Sequence, residues 1–319
     1  MKLYIIGNGF DCFHNLPTTY EDFRKYLKEK DEEVYTLVNE VYNILNENSE
    51  PNILIGSNED SDSKLLIWTD FETALGNMDE EYLWEYANYY INTNYDNWTD
   101  DDNHIAQRAL NNHLIKVTDT LKEYLSSWIC SVDIFQAKNR LKLCKQSLFL
   151  TFNYTKTLEL YYSIPKSNII HIHGSTDKPM KIITGHNRFL ANGNNNFDDI
   201  RMIECADMID AALQNMKKPV ENIIECNKEY FKTLSDIKEI YIIGHSLNRI
   251  DLPYFKEIKD NVKDDVEWLL FFKDKHDYSK NLKEKKEVFQ KLEIDSKKVH
   301  FKLIENIIES YDYDPYRLP

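Results

Sequence analysis

One asparagine and two histidines, which lie at the ends of short apolar runs in this 319-residue sequence, are residues whose types could take part in catalysis. Asn153 stands in Phe152-Asn153-Tyr154-Thr155, and its amide can orient a ribose hydroxyl or a water through both polar atoms. His171 and His173 alternate in a predicted strand, so both side chains are expected on one face, and imidazole titrates near neutrality. A helix N-cap role for Asn153 and structural roles for the histidines stay open. The pattern favours general base chemistry at a strand end.

Two glycine-bearing turns, which also follow apolar runs, are suited to holding a phosphate. The first is Gly7-Asn8-Gly9-Phe10-Asp11, where glycines let backbone amides approach an anion at a helix start. The second is Gly244-His245-Ser246, followed by Asp251. Ser246 or Asp251 can cap the next helix or hold a ribose hydroxyl. A cysteine stands where the dinucleotide-binding fingerprint needs its third glycine, so a plain tight turn is an equal alternative for the first motif.

Seven short apolar runs predict the strands that position these residues. Each run is typical of a buried parallel strand, and several lead directly into Gly or Asn. The predicted strands are Leu3–Ile6, Ser147–Phe152, Asn168–Ile172, Lys181–Thr184, Glu239–Ile243, Val266–Phe272 and Val299–Leu303. Because ligands collect at the carboxyl ends of parallel strands, the polar turns are expected to face one crevice.

Helical periodicity fills the intervals between the predicted strands. The predicted helices are 20–46, 68–75, 80–91, 105–128 and 202–234, the last broken near Pro219. We therefore predict a single α/β domain over residues 1–319, with a Rossmann-like, mostly parallel sheet flanked by helices. A large helical insertion at about 30–145 follows the first strand, and a second, at about 200–235, precedes the Gly244 turn.

Composition disfavours several classes of partner. The formal net charge of −15 repels nucleic acid and anionic membranes. No apolar run reaches about 18 residues, so no transmembrane helix is expected, and the N-terminus lacks a signal-peptide pattern. The five cysteines are odd in number and form no C-x-x-C pair, which indicates a reducing compartment without structural zinc. We expect a cytoplasmic protein with no bound metal.

In their order along the chain, the motifs resemble those of the AbiH family of bacterial phage-defence (abortive infection) proteins. The matching segments are 6–11, 15–23, 68–72, 152–155, 171–175, 184–187, 243–247 and 251–255. The resemblance spans nearly the whole chain, and its specificity lies in the order of the motifs. It implies a role in anti-phage defence, with activity withheld until a phage-derived trigger arrives.

AbiH proteins are in turn similar, more distantly, to sirtuin-like (SIR2-like) defence domains, which bind NAD and cleave it to nicotinamide and an ADP-ribose product. This similarity implies that Asn153 and His173 are catalytic. Two departures from the sirtuin pattern are that Asp11 replaces a serine and Thr155 replaces an aspartate. The sirtuin zinc cysteines are missing, so protein deacetylation is disfavoured.

The resemblance therefore implies an NAD glycohydrolase, whose reaction passes through an oxocarbenium-like state. In this hypothesis Asn153 positions the ribose and the attacking water, and His173 is the base. The implied nucleotide contacts are Gly7, Asn8, Gly9, Phe10, Asp11, His171, Gly174, Gly244, His245, Ser246 and Asp251.

Two other functions stay open at this point. The substituted turn residues suggest a nucleotide-gated sensor or scaffold without turnover. The histidines and aspartates are numerous enough for a metal-dependent phosphoesterase, although their order matches no pattern of that class. An aromatic-rich helical segment further predicts an oligomer contact or a lid, with helix packing as an equal alternative. Its aromatic residues are Trp84, Tyr86, Tyr89, Tyr90, Tyr95 and Trp98.

Overall fold

The structure, a computed structural model, describes residues 1–45, 66–68, 71–90, 104–186 and 200–308. The chain divides into two compact units. Unit 1 comprises Met1–Thr18, Ile129–Ile182 and Pro219–Pro319, and unit 2 comprises Thr19–Trp128 and Ile183–Lys218. Unit 2 overlaps much of both predicted helical insertions. A single domain with insertions stays a prediction.

The strands form one large sheet in unit 1 and a short pair in unit 2. In chain order they are β1 Lys2–Ile6, β2 Ile44–Leu45, β3 Leu66–Ile67, β4 Leu148–Thr151, β5 Ile169–His171, β6 Glu239–Ile243, β7 Glu267–Phe272 and β8 Val299–Leu303. The large sheet has the order β5-β4-β1-β6-β7-β8, and all of its strand pairs are parallel. This is the doubly wound order of dinucleotide-binding folds, so the predicted Rossmann-like α/β class is confirmed.

The register of the central strands brings the polar turns to one level. Ile6 of β1 lies opposite Thr151 of β4 and Ile243 of β6. The turns that follow these strands therefore lie side by side at the carboxyl edge of the sheet. Aromatic rings pack one face, where Tyr4 stacks on Phe149 with centroids 4.8 Å apart. Burial of each such ring stabilises the sheet by about 1.5–3 kcal/mol.

Helices flank the large sheet and build most of unit 2. In chain order they are α1 Asn8–Phe13, α2 Tyr20–Lys30, α3 Glu32–Val41, α4 Phe71–Ala74, α5 Glu80–Tyr89, α6 Ile105–Ile115, α7 Leu121–Ser131, α8 Thr157–Leu160, α9 Ile200–Asn215, α10 Val220–Cys226, α11 Lys228–Lys232, α12 Leu252–Asn261 and α13 Lys275–Lys291. A π-helical segment, Lys116–Thr120, joins α6 to α7. The helix predicted for 20–46 divides at Asp31, which caps α3 by accepting a hydrogen bond from Val34 N–H.

Two strand predictions were wrong at the segment after β5. Residues 181–184 form no strand, because Pro179–Lys181 is a 3₁₀ turn. Strand β5 ends at His171, so His171 and His173 do not alternate along one strand face. Gly174 N–H donates to the His171 carbonyl at 3.2 Å, and Gly174 has φ of +83°. The chain therefore turns over residues 171–174, and His173 does not continue the strand.

The family-like motifs of unit 2 have structural functions. Thr19 and Asp22 form a capping box that begins α2. Trp68 stacks on Phe71 with centroids 5.2 Å apart in the core of this unit. Lys218, 1% exposed, forms an ion pair with Glu72 at 2.7 Å. Residues 69–70 and 187 of the motifs lie outside the described residues.

The predicted aromatic interface falls on α5, in unit 2. Tyr86 stacks on His113 with centroids 3.7 Å apart, so helix packing accounts for this ring. Tyr89 is 83% exposed. Tyr95 and Trp98 lie outside the described residues. The oligomer or lid at this place stays a prediction.

None of the helices in the described ranges is long and apolar enough to cross a membrane. All five cysteines are free thiols.

Candidate functional site

The turns after β1 and β6 pack directly on each other. Gly7 N–H donates to the Ile243 carbonyl at 3.0 Å, and Gly9 N–H donates to the Gly244 carbonyl at 2.8 Å. Gly244 has φ of +67°, and a Cβ there would lie 2.1 Å from the Phe10 nitrogen. These glycines are required by the close approach of two backbones. Because both amides already donate within the protein, their phosphate-binding role stays a prediction.

Asn153 lies in the turn after β4, and it is 7% exposed. Its backbone N–H donates to Thr151 Oγ1 at 3.1 Å. Its side-chain Nδ2 and Oδ1 are buried and have no hydrogen-bond partner among the described residues. The nearby helix α8 has Lys156 at its N-cap, so Asn153 is not a helix cap. An unpartnered buried polar group costs about 1–3 kcal/mol, so this amide is suited to bind a ligand or water.

Asp11 lies under the Asn153 turn and is 1% exposed. Its carboxylate accepts hydrogen bonds from Thr155 Oγ1 at 2.5 Å and from Thr157 Oγ1 at 2.8 Å. Burial raises the pKa of Asp11 to about 6, against the opposing effect of these hydroxyls. The Asn153 amide lies close enough to Asp11 to lower its pKa as well, although its atoms do not meet the distance and angles of a hydrogen bond. The Asp11 carboxylate therefore has hydroxyl partners within the chain, and its predicted contact with a nucleotide stays a prediction.

His171 also contacts the Asn153 turn. Its Nδ1 lies 2.9 Å from the Asn153 carbonyl oxygen, and its Nε2 lies 2.9 Å from Glu159 Oε1. Both partners are acceptors, so each ring nitrogen can only donate to its partner. The side chains of His171 and Glu159 are 12% and 9% exposed. Its predicted contact with a nucleotide stays a prediction, because protein atoms occupy both nitrogens.

His173 belongs to a second cluster, which is formed with residues of the β6–α12 segment. Its Nε2 lies 3.3 Å from the Tyr254 hydroxyl and 4.0 Å from Asp251 Oδ1. Asp251 Oδ2 lies 3.4 Å from His245 Nε2, so one carboxylate faces two imidazoles. Leu247 N–H donates to His245 Nδ1 at 2.8 Å, and a neutral His245 therefore carries its proton on Nε2, towards Asp251.

The capping functions considered for Ser246 and Asp251 are absent from this segment. Asp251 occupies the N-cap position of α12 but makes no side-chain cap hydrogen bond. Ser246 is exposed and precedes the helix by several residues. The Asp251 carboxylate is directed to the histidines instead.

Phe152 joins the two clusters. Its ring packs edge-on against His245 at 4.2 Å and against His173 at 5.3 Å, and it stacks on Phe255 at 6.1 Å. The sequence prediction assigned no function to Tyr254 or Phe255. Their helical spacing could have indicated a shared site, because positions 251, 254 and 255 lie on one helix face.

A cleft of about 490 Å³ opens beside the β6 turn, at the carboxyl end of β7. Its floor includes Phe13 and Phe272, and its polar rim includes Asp274 and Asn281. Lys285 Nζ donates to the Ser246 carbonyl at 2.6 Å on the same side. The sequence prediction missed the α13 residues, although their signal was a polar segment directly after a predicted strand.

Comparison with known proteins decides the family. The family model described as bacteriophage abortive infection AbiH matches residues 3–272. This chain belongs to the AbiH family. The match begins in β1 and ends in β7, so it includes the Asn153 and His173 clusters. No curated protein and no solved structure matches this chain. The distant similarity to SIR2-like domains stays a prediction.

Three other predicted site residues of this AbiH protein have partners within the chain. Asn8 Nδ2 donates to the Thr18 carbonyl at 2.7 Å. Phe10 is fully buried in the core under the sheet edge. A Cβ at Gly174 would lie 2.5 Å from the Lys181 carbonyl oxygen, so this glycine allows a close backbone contact. Ligand contacts by these residues stay predictions.

Two further histidines of the AbiH protein, His14 and His186, have separate surroundings. His14 Nδ1 lies 2.6 Å from the Phe10 carbonyl and its Nε2 lies 2.7 Å from the Tyr162 hydroxyl. In unit 2, His186 Nε2 lies 3.0 Å from the Leu213 carbonyl. Within the described ranges, no three His, Cys, Asp or Glu side chains are grouped so that they could hold a metal ion.

Proposed function

We propose that this AbiH protein acts in abortive infection by cleaving the nicotinamide–ribose bond of NAD in the cytoplasm. The observation that carries the proposal is the Asn153 amide, which is buried without hydrogen-bond partners among the described residues. It follows Phe152, whose ring packs on His173, at the carboxyl edge of a doubly wound sheet. The amide offers a donor and an acceptor to a ribose hydroxyl and a water, and His173 offers an imidazole to accept a proton.

In the proposed reaction the bond between ribose C1′ and the nicotinamide nitrogen breaks, and its electron pair leaves with neutral nicotinamide. Asn153 holds a ribose hydroxyl and the water that adds to C1′. His173 accepts the proton that this water releases. Tyr254 and Asp251, at 3.3 Å and 4.0 Å from His173 Nε2, orient the imidazole.

A compensating exchange supports the SIR2-like part of the proposal. At position 11 a carboxylate replaces the sirtuin hydroxyl, and at position 155 a hydroxyl replaces the sirtuin carboxylate. Thr155 Oγ1 donates to Asp11 Oδ2 in this protein. The two departures therefore fall on side chains that bond to each other.

The cleft beside the β6 turn has room for the nucleoside end of NAD. Its apolar floor suits a base, and Asp274 and Asn281 at its rim offer partners for ribose hydroxyls. The phosphates would then lie near Gly244 and Ser246, which also line the cleft.

Nicotinamide release from NAD by the purified protein tests the proposal. We expect Asn153→Ala and His173→Ala each to lower the rate at least about 100-fold, because each removes a group that acts on the reacting atoms. His300→Ala is the control, since His300 is an exposed residue of β8. Turnover that survives both site substitutions would contradict the assignment.

A nucleotide sensor without turnover is the second candidate. The departures from the sirtuin pattern at Asp11 and Thr155 favour it, because these two side chains are hydrogen-bonded to each other within the protein. Calorimetry distinguishes the two functions. Tight binding of NAD or ADP-ribose with no nicotinamide release, even with phage components added, would favour the sensor.

A further inference from the structure

The backbone around Asn153 is held on both sides. Phe152 N–H donates to the Ile6 carbonyl at 2.9 Å, which ties the turn to β1. Thr176 N–H donates to the Tyr154 carbonyl at 3.0 Å, which ties it to the segment after β5. The Asn153 side chain, in contrast, has no hydrogen-bond partner in the described part of the chain. A fixed backbone with an unpartnered amide is the arrangement of a preorganised group.

His171 also holds the backbone of this turn, because its Nδ1 lies 2.9 Å from the Asn153 carbonyl oxygen. The ring is held at its other end by Glu159 Oε1, 2.9 Å from Nε2. Glu159 lies on α8, so the contact links β5, the Asn153 turn and this helix. Both side chains are largely buried, so solvent screens the contact little.

We propose that His171 and Glu159 are a positioning pair for Asn153. Glu159 orients the imidazole, and the imidazole holds the Asn153 carbonyl, so that the amide is directed to the ligand. Neither residue touches the reacting atoms. The inference rests on the proposed function for its kinetic consequence, but the placement of the amide is a property of the protein alone.

A second His–Glu pair in unit 1 provides a matched control. His300 Nε2 lies 2.6 Å from Glu267 Oε2, between the edge strand β8 and β7. Its side chains are 44% and 36% exposed. Exposed pairs of this kind contribute little to stability, and this one does not contact the Asn153 turn.

Four variants separate positioning from general stability. His171→Leu removes both ring nitrogens, whereas His171→Asn keeps an amide donor near the Nδ1 position. Glu159→Gln keeps a hydrogen-bonding side chain without charge, and His300→Leu breaks the control pair. We expect His171→Leu to lower kcat about 100-fold with a much smaller change in KM, because misplacing an oriented group by about 1 Å has that effect. His171→Asn should recover most of the loss, Glu159→Gln should be intermediate, and His300→Leu should match the wild type.

A structural readout keeps the test independent of turnover. In protein labelled with ¹⁵N-asparagine, the Asn153 side-chain signals, assigned by their loss in Asn153→Asp, should shift in His171→Leu and not in His300→Leu. Thermal melting identifies any variant that fails to fold. Unchanged Asn153 signals in folded His171→Leu, or a His171→Asn variant as slow as His171→Leu, would overturn the proposal. Wild-type protein that releases no nicotinamide would instead refute the proposed function, while the amide signals still test the positioning.

Discussion

Asp11 and His14 lie three residues apart, and burial shifts their pKa values in opposite directions. The pKa of Asp11 rises to about 6, and that of His14 falls to about 4. In both cases the charged form is disfavoured because the side chain has left water. His14 is therefore neutral at pH 7, with Nδ1–H donating to the Phe10 carbonyl and Nε2 accepting from the Tyr162 hydroxyl. Asp11 is ionised at pH 7, and its hydrogen bonds from Thr155 and Thr157 offset part of the free energy lost by burying the charge.

The raised pKa of Asp11 predicts a specific pH dependence of stability. Between pH 3.8 and about 6 the folded carboxyl keeps a proton that the unfolded chain has released. Its stabilising contribution is therefore present below pH 3.8 and is lost as pH rises through 6. Asp11→Asn stays neutral, so its stability relative to wild type should rise by up to about 3 kcal/mol between pH 4 and pH 7. Urea unfolding at several pH values measures this.

His14→Gln is the control with the opposite sign. The lowered pKa of His14 gives a contribution that is present above pH 6.5 and is lost as pH falls through 4. Removing the imidazole should therefore make the variant relatively more stable in acid. Equal differences from wild type at every pH, for either variant, would contradict the burial of that group.

At the scale of elements, the site depends on the contact between the β1 and β6 turns. Gly244 lies against the backbone of Gly9 and Phe10, and its φ of +67° is in the left-handed region. The same loop carries Leu247, which also has a positive φ, of 55°, and whose N–H fixes the His245 tautomer. Backbone held in this way costs energy and is found where surrounding structure supports a functional group.

Gly244→Ala is expected to destabilise the protein by about 2–4 kcal/mol, because it adds a strained φ to an overlap with the Phe10 nitrogen. Thermal or urea unfolding measures the change. Ser246→Ala, an exposed position in the same loop, should stay within about 0.5 kcal/mol of wild type. If the two variants were equally stable, the turns would not pack as closely as the structure indicates.

At the scale of the molecule, charge is divided unequally between the units. Unit 1 contains 25 acidic and 27 basic residues, whereas unit 2 contains 29 acidic and 12 basic residues. The excess of acidic residues in the chain therefore lies in unit 2, whereas unit 1, which contains the candidate site, is nearly neutral. An anionic nucleotide is not repelled by the net charge of the unit that would bind it.

Membership of the AbiH family, together with the proposed cleavage of NAD, predicts an effect in infected bacteria. Cells that express the wild-type protein should lose NAD after infection and release fewer phage than cells that express Asn153→Ala. Plaque counts and NAD levels measured in parallel test this. Protection by Asn153→Ala equal to that of the wild type, without loss of NAD, would separate defence from NAD cleavage and favour the sensor.

The sequence alone determined the fold class and the position of most turns. Buried parallel strands form continuous apolar runs, so β1, β4, β6, β7 and β8 were placed within a residue or two. The segment 181–184 has the same local pattern, but the proline turn and the folding back at Gly174 exclude it from the sheet. Local apolar pattern cannot distinguish these cases, since it does not report which strand is available as a partner.

The sequence also predicted Asn153 and His173 as site residues, because each follows a predicted strand, and their catalytic roles stay predictions. Only the tertiary structure decided what surrounds them. Thr155 bonds to Asp11 across 144 positions, and His173 meets Tyr254 across 81. Contacts at such separations depend on the order of strands in the sheet rather than on neighbours in the chain. For that reason the hydrogen-bonded backbone of the Asn153 turn, and the buried amide without a partner in the described ranges, could be found only in the folded molecule.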